Sequence, residues 1–289
     1  MHVLRLIARC PLWLLHALGT PMGWLTYWLS PTYRQRFKAN VAQAGVPWRQ
    51  ARGAIGAAGR MVTELPYLWM RPQGEPLGER ARWRQPELIE QAHAGGRGLV
   101  LLTPHLGCFE VAAQAYAERF SPRFGPMTAL YRPARKAWLR PLMDESRNRP
   151  GLKTAPATLA GVRQMIRALR SGETVGLLPD QVPPDGLGVW APFFGKPAYT
   201  MTLASRLVQQ TGAALLLLRA ERLPNGRGYV IHVSPLAEPL PGADADPAQS
   251  AAVINRAMEQ LILQSPQQYL WGYHRYKAPR SLPAADATS

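Results

Sequence analysis

The chain has 289 residues, of which 47% are hydrophobic, so it can bury a sizeable core and is not a disordered protein. Lys and Arg number 34 against 18 Asp and Glu, and the net charge of +16 indicates an anionic partner: nucleic acid, a membrane or an acidic protein. The two cysteines, Cys10 and Cys108, make a disulfide scaffold improbable and fit a reducing compartment.

The N-terminal stretch 10–33 carries no formal charge, and no acidic residue precedes Glu64. The stretch contains three tryptophans, Trp13, Trp24 and Trp28. Apolar residues with interfacial aromatics and basic flanks are typical of a membrane-associated segment. The length suffices to span a bilayer, but Pro11, Pro21 and Pro31 favour a broken helix within one leaflet. A helix buried in a soluble domain is the alternative.

The remaining chain alternates predicted strands and helices. Apolar runs bounded by Gly or Pro predict strands at 98–102, 127–131, 174–178, 213–218 and 228–233. Helices are predicted at 52–68, 86–94, 111–120, 157–170, 200–210 (with Thr200 as N-cap) and 247–263. This alternation predicts an α/β fold with a mixed, largely buried sheet flanked by helices.

The segment 103–110, Thr-Pro-His-Leu-Gly-Cys-Phe-Glu, directly follows the predicted strand at 98–102. Functional groups of open α/β sheets gather beyond the carboxyl ends of strands, so His105 is well placed as a general base. Glu110 can reach it only if His105 lies in the loop and Glu110 in the first helical turn, a bend that Gly107 eases. Glu110 would then hold the imidazole tautomer. The alternative is a surface histidine beside a solvated glutamate.

Further motifs follow in order along the chain. They are Asn40, Tyr-Arg-Pro at 131–133, residues 144–147, Leu-Pro-Asp-Gln at 178–181, residues 191–198, 211–213, 266–271 and 275–277. Over about residues 34–277 the chain resembles the late acyltransferases of lipid A biosynthesis, the lauroyl/myristoyl transferase family of Gram-negative bacteria. The resemblance implies a glycerolipid-acyltransferase-like fold. It also implies acyl transfer from acyl carrier protein to a lipid A precursor hydroxyl, at the cytoplasmic side of the inner membrane.

The resemblance also implies that His105 and Glu110 form the catalytic pair and that Arg147 and Asp180 are further functional positions. A thioester is reactive enough to need no metal, and no cofactor is expected beyond the phosphopantetheine arm of the donor. Arg147 and Arg132 are candidates for binding a phosphate, since Arg suits bidentate contacts, or they are solvated charges of a basic loop. Asp180, at the end of a predicted strand, is expected to orient Arg147 or to cap a loop.

The expected partners are an acidic acyl carrier protein, an anionic lipid acceptor and a membrane, and no nucleic acid. The chain then divides into a membrane-associated segment at 1–33, an acyltransferase domain at 34–278 and a disordered tail at 279–289.

Three alternatives remain. Cys108 could take the acyl group first as a thiolate activated by His105. A glycerophospholipid acyltransferase would share the His-x4-acid arrangement, although Asp is more usual there than Glu110, and the late Trp-x3-Arg-Tyr-Lys pattern weighs against it. A basic nucleic-acid-binding protein fits the net charge, but no zinc-binding, helix-turn-helix or aromatic ribonucleoprotein pattern is present.

Overall fold

A computed structural model describes residues 7–72, 74–131 and 149–280. The N-terminal part is helical, with α1 (Leu12–Leu29), α2 (Pro31–Gln43), α3 (Trp48–Ala51) and α4 (Gly53–Trp69). The Ser30 side chain accepts a hydrogen bond from the Tyr33 backbone N–H and so caps α2, whose first residue is Pro31.

The rest of the described chain alternates strands and helices. In order these are β1 (Ala81–Arg84), α5 (Glu87–Ala94), β2 (Leu99–Leu102), α6 (Phe109–Arg119), α7 (Ser121–Phe124), β3 (Met127–Tyr131), β4 (Leu152–Pro156), α8 (Leu159–Arg170) and β5 (Thr174–Leu177). They continue as β6 (Gly188–Phe193), β7 (Lys196–Met201), α9 (Leu203–Thr211), β8 (Ala214–Arg222), β9 (Tyr229–Pro235) and α10 (Pro247–Gln264).

The main sheet has seven strands in the order β1-β9-β8-β2-β5-β3-β4. The five strands from β8 to β4 are parallel, whereas β9 pairs antiparallel with β8, so the sheet is mixed as the sequence predicts. In the centre, β2 pairs with β5 and β8, and Leu102 lies level with Leu177 and Leu217. The carboxyl ends of these three strands therefore meet at one edge.

Hydrophobic cores cover both faces of the sheet. Val100 and Leu102 of β2 pack into the core beneath α8, α9 and α10, and Leu99 and Leu101 pack into the core beneath α5 and α6. Side chains alternate across a strand, so β2 must be apolar at every position to fill both cores. This requirement explains the unbroken apolar run in the sequence.

The helix expected at residues 200–210 begins later than predicted. Thr200 is a fully buried residue of β7, which pairs antiparallel with β6, and the helix α9 starts after Thr202. The Thr200 hydroxyl accepts a hydrogen bond from Arg275 and shares another with Asn255, so tertiary contacts fix Thr200 in a strand. The prediction of Thr200 as a helix cap is therefore wrong.

Helix α1 packs directly on α4 through glycines. A Cβ on Gly59 would lie 1.9 Å from the Gly19 carbonyl oxygen, and one on Gly23 would lie 2.1 Å from the Ile55 carbonyl oxygen. The helix continues through Pro21, which is exposed, so the break expected at this proline is wrong. The backbone contact with α4, on the buried side, holds the helix together where Pro21 removes one hydrogen bond.

The outer face of α1 is apolar and exposed. Its large exposed side chains are Trp13, Leu18, Met22, Leu25, Trp28 and Leu29. Among the residues that the structure describes, no helix combines the length and apolar character that crossing a bilayer requires.

Candidate active site

The segment that joins β2 to α6 is fixed against two other parts of the chain. The Gly107 N–H donates to the Gln268 carbonyl at 3.0 Å, and the Cys108 N–H donates to the Ala220 carbonyl of β8 at 2.9 Å. The Leu270 N–H donates to the His105 carbonyl at 3.2 Å. The segment is therefore an ordered loop at the carboxyl edge of the sheet, where the sequence places a functional site.

Gly107 is required for this path. It has a φ of +58°, and a Cβ at this position would lie 2.0 Å from the Ala220 carbonyl oxygen. The bend leaves His105 in the loop and Glu110 in the first turn of α6. This is the arrangement that allows both side chains to face one site.

Asp180, just beyond the end of β5, holds His105 twice. The carboxylate oxygen Oδ1 lies 2.7 Å from the imidazole Nδ1, and Oδ2 accepts a hydrogen bond from the His105 backbone N–H at 2.9 Å. An Nδ1 that donates its hydrogen to a carboxylate leaves Nε2 as the basic nitrogen of the neutral ring. The ring also packs edge-on against Phe109, with centroids 4.9 Å apart.

Asp180 remains ionised although it is only 1% exposed. Burial by itself raises the pKa of this carboxyl. The charge of His105, the two hydrogen bonds from His105 and the charge of Arg275 outweigh burial and hold the pKa of Asp180 below its ordinary value. The site thus contains a buried negative charge directly beside the imidazole of His105.

This contact corrects the expectation that Glu110 holds the imidazole tautomer. The carboxylate that is hydrogen-bonded to Nδ1 of His105, and so fixes the tautomer, is that of Asp180 and not that of Glu110. The reason is that β2 and β5 are neighbours, so their carboxyl ends bring the two residues together. Arg147, which Asp180 was expected to orient, lies outside the described residues, as does Arg132.

Glu110 lies in the same site on the side of a cavity. The Trp69 indole N–H donates to its Oε2 at 3.4 Å, and both residues line the cavity together with His105. Since Nδ1 of His105 is hydrogen-bonded to Asp180, Nε2 is the ring nitrogen available to a ligand in the cavity. Glu110 and His105 therefore line the same cavity.

The cavity has a volume of about 170 Å³ and lies between α6, β3 and β4. Most of its walls are apolar: Trp69, Phe109, Ala113, Ala129, Leu130, Tyr131, Leu152 and Leu178. The polar lining residues are His105, Glu110, Gln114 and Thr154. An apolar cavity with a few polar groups at one place suits an apolar ligand that reacts at one end.

Cys108 is a poor nucleophile in this arrangement. The side chain is only 2% exposed, and burial, reinforced by the negative charge of Glu64, raises the pKa of its thiol well above the ordinary value. Thiolates are the reactive form, so burial disfavours a covalent route through this residue.

Within residues 7–72, 74–131 and 149–280, no group of three or more His, Cys, Asp or Glu side chains is placed to hold a metal ion. Sequence reasoning missed Trp69 as a wall of the site because nothing local marks it. The sequence marks Asp180 as a functional position at a strand end but does not indicate His105 as its partner.

Comparisons with known proteins identify related sequences over most of the chain. The model of the bacterial lipid A biosynthesis acyltransferase family matches residues 1–278. The chain is 29% identical over 233 residues to a lipid A biosynthesis lauroyltransferase of Escherichia coli (strain K12), covering 78% of this chain and 71% of the relative. It is 28% identical over 192 residues to a lipid A biosynthesis palmitoleoyltransferase of the same organism, covering 65% and 59%.

A lipid A biosynthesis acyltransferase of Haemophilus influenzae (strain ATCC 51907 / DSM 11121 / KW20 / Rd) is 27% identical over 195 residues, which cover 68% of this chain and 58% of the relative. Fold, site and relatives together define the class of the protein, which is an acyltransferase. More narrowly, the chain belongs to the bacterial lipid A biosynthesis acyltransferase family, whose model extends over nearly the whole sequence.

Proposed function

We propose that this protein transfers a fatty acyl group from acyl carrier protein to a hydroxyl of a lipid A precursor. The observation that carries the proposal is His105, oriented by Asp180 and placed with Glu110 at a largely apolar cavity, in a member of this family. The names of the relatives supply the acyl group and the lipid, and the cavity walls suit a hydrocarbon chain.

In this mechanism Nε2 of His105 removes the proton of the acceptor hydroxyl as its oxygen attacks the thioester carbonyl. The C–S bond then breaks, and the imidazolium returns the proton to the leaving thiolate. The ionised Asp180 stabilises the imidazolium between the two proton transfers. Positioning of the two substrates supplies much of the remaining acceleration.

Glu110 acts on the cavity side of His105. Its position in the first turn of α6, at the same cavity as His105 and held by Trp69, suits a carboxylate that orients the attacking hydroxyl toward Nε2. The catalytic pair inferred from the sequence thus becomes a group of three residues, with the tautomer assigned to Asp180.

The donor and acceptor are both anionic, and the chain has a net charge of +16. An acidic acyl carrier protein would be attracted to such a surface, mainly through its rate of association. Arg132 and Arg147 remain proposed contacts for a phosphate of the acceptor or of the phosphopantetheine arm. That arm is the only cofactor in the scheme, and the proposal includes no metal.

We place the protein at the cytoplasmic side of the inner membrane, with helix α1 in the interface. The exposed apolar face of α1 supports this placement, and the exposed Arg36 and Lys38 of α2 follow it. The start of α1 lies at the same edge of the sheet as the site. Gly226, in the turn after β8, is so close to α1 that a Cβ on it would lie 2.2 Å from the Trp13 backbone nitrogen.

The experiment offers purified protein an acyl-acyl carrier protein with two acceptors side by side, a lipid A precursor and lysophosphatidate. Label in the lipid A precursor, lost in a folded His105→Ala variant, is the expected result. Label in lysophosphatidate alone would instead establish the glycerophospholipid alternative. Undiminished transfer by folded His105→Ala would exclude the mechanism.

A further inference from the structure

A second charged group lies behind the catalytic loop, outside the lining of the cavity. Glu64 of α4 and Arg222 of β8 form a bidentate ion pair in which both side chains are buried, with Arg222 Nε 2.8 Å from Glu64 Oε2. Tyr229 donates to the same carboxylate at 3.1 Å, and His16 Nε2 lies 3.0 Å from it.

Both members of the pair stay charged. Burial alone raises the pKa of Glu64, but the charge and hydrogen bonds of Arg222 and the hydrogen bond with His16 lower it to about 2. A buried ion pair is costly to desolvate and contributes little net stability compared with apolar residues. The position of this pair in the fold therefore suggests a role other than stability.

Arg222 is the link to the catalytic loop. One nitrogen of its guanidinium, Nη2, reaches both Glu64 and the Gly107 carbonyl, the latter at 3.0 Å. Gln268, whose carbonyl accepts the Gly107 N–H, also exchanges two side-chain hydrogen bonds with the Arg222 backbone, at 2.9 and 3.0 Å. The loop that carries His105 is thus held on its inner side by one arginine.

His16 extends the group to helix α1. It lies on the buried side of the helix, whereas the opposite side exposes the apolar face. The Thr63 hydroxyl, one residue before Glu64, donates to the Leu15 carbonyl at 2.7 Å. The chain of contacts therefore runs from α1 through Glu64 and Arg222 to Gly107.

We propose that Arg222, held by Glu64, is a positioning residue for the catalytic loop. His16, through its contact with Glu64, links the position of helix α1 to that of Arg222. The inference rests on the proposed acyl transfer. Arg222 touches neither the cavity nor His105, so it acts through the path of the loop. Misplacement of a general base by about 1 Å is enough to slow an enzyme about 10²-fold.

The test compares Arg222→Met and Arg222→Lys with Arg219→Met. Lysine keeps the charge opposite Glu64, but its single ammonium lacks the planar fork that spans a carboxylate and a carbonyl. Arg219 is the matched control, because it is a buried arginine of the same strand that bonds Ser265 and not the loop. Circular dichroism and thermal unfolding identify the variants that fold.

In folded Arg222 variants we expect kcat to fall about 10- to 100-fold while KM for the acyl donor stays within about threefold, because the cavity walls are unchanged. The control should keep the wild-type kcat. A folded Arg222→Lys protein with wild-type kcat would overturn the inference, and so would an equal loss in Arg219→Met.

A second measurement needs no substrate. Diethylpyrocarbonate modification of His105 is followed by mass spectrometry, with His93, buried and bonded to Tyr116 and Thr174, as the internal reference. We expect His105 to react several-fold faster in Arg222→Lys while His93 is unchanged. Unaltered His105 reactivity would overturn the inference, whereas absence of acyl transfer by the wild-type protein would overturn only the proposed function.

Discussion

Asp180 accepts two hydrogen bonds from one residue, from the imidazole of His105 at 2.7 Å and from its backbone N–H at 2.9 Å. The pair joins the ends of β2 and β5, so the same carboxylate fixes the ring, its tautomer and the chain that carries it.

We therefore expect Asp180→Asn to lower kcat at least about 10²-fold while the protein remains folded. The asparagine has nearly the same shape, but it has no charge to stabilise the imidazolium. Steady-state kinetics with a saturating acyl donor measure the effect. Turnover close to that of the wild type would show that Asp180 has no part in catalysis.

Glu110→Ala should also lower kcat at least about 10²-fold, since Glu110 lines the same cavity as His105. Glu87→Ala, at an exposed position in the first turn of α5, is the matched control and should retain full activity. If the two variants turn over at equal rates, Glu110 does not belong to the site.

Gly107→Ala should uncouple the loop from β8. The added methyl would lie 2.0 Å from the Ala220 carbonyl oxygen, and alanine is strained at a φ of +58°. We expect a loss of activity larger than the loss of thermal stability, because the displaced segment carries His105. Gly186→Ala, at a φ of +76° with open space around the Cβ, tests the conformational strain alone. Equal effects of both changes would refute the close contact.

The pKa of Glu64 predicts how stability depends on pH. Its folded value, about 2, is below its ordinary value of 4.5, so this group contributes stability above pH 4.5 that is lost as pH falls toward 2. Over that window one proton contributes a slope of up to about 1.4 kcal/mol per pH unit. Urea unfolding of the wild type and of Glu64→Gln should differ in this slope, and Glu87→Gln should behave as the wild type. Identical slopes in all three proteins would contradict an ionised buried Glu64.

The apolar face of α1 predicts binding to lipid. Leu18 and Leu25 are 54% and 52% exposed, and replacing both by Gln should weaken binding to phosphatidylglycerol-containing vesicles at least about 10-fold. Leu159→Gln is the control, because Leu159 is exposed but lies at the start of α8, next to the edge strand β4. Vesicle sedimentation measures the effect. An equal loss in the control would mean that α1 is not the lipid contact.

The strand β2 was predictable from sequence because it is buried on both faces and apolar at every position. The strand at Met127–Tyr131 has the predicted bounds, and that at Leu99–Leu102 differs by one residue. The outer strands β1 and β4 escaped prediction because exposed positions interrupt them, as Arg82 and Lys153 do. The hairpin β6–β7 was not predicted because tertiary contacts, those of Thr200 among them, decide where β7 ends.

The site was predictable in part for the same reason. His105 follows an evident strand, whereas its partner Asp180 is 75 residues away and meets it only because β2 and β5 are neighbours in the sheet. Strand order is not encoded in any local pattern. A carboxylate five residues away was therefore the natural, but incorrect, candidate for Nδ1.

The contact between Gly19 and Gly59 has a consequence for acceptor selection. The direct backbone contact, together with the bonds of His16 and Leu15 to α4, fixes α1 on α4, so the exposed leucines of α1 keep a constant separation from the imidazole. In the proposed arrangement, the fixed position of α1 then sets the distance from the bilayer at which the imidazole can act. A hydroxyl is acylated when it stands at the one height above the bilayer that the imidazole can reach, and a chemically equivalent hydroxyl a few ångströms higher or lower is passed over.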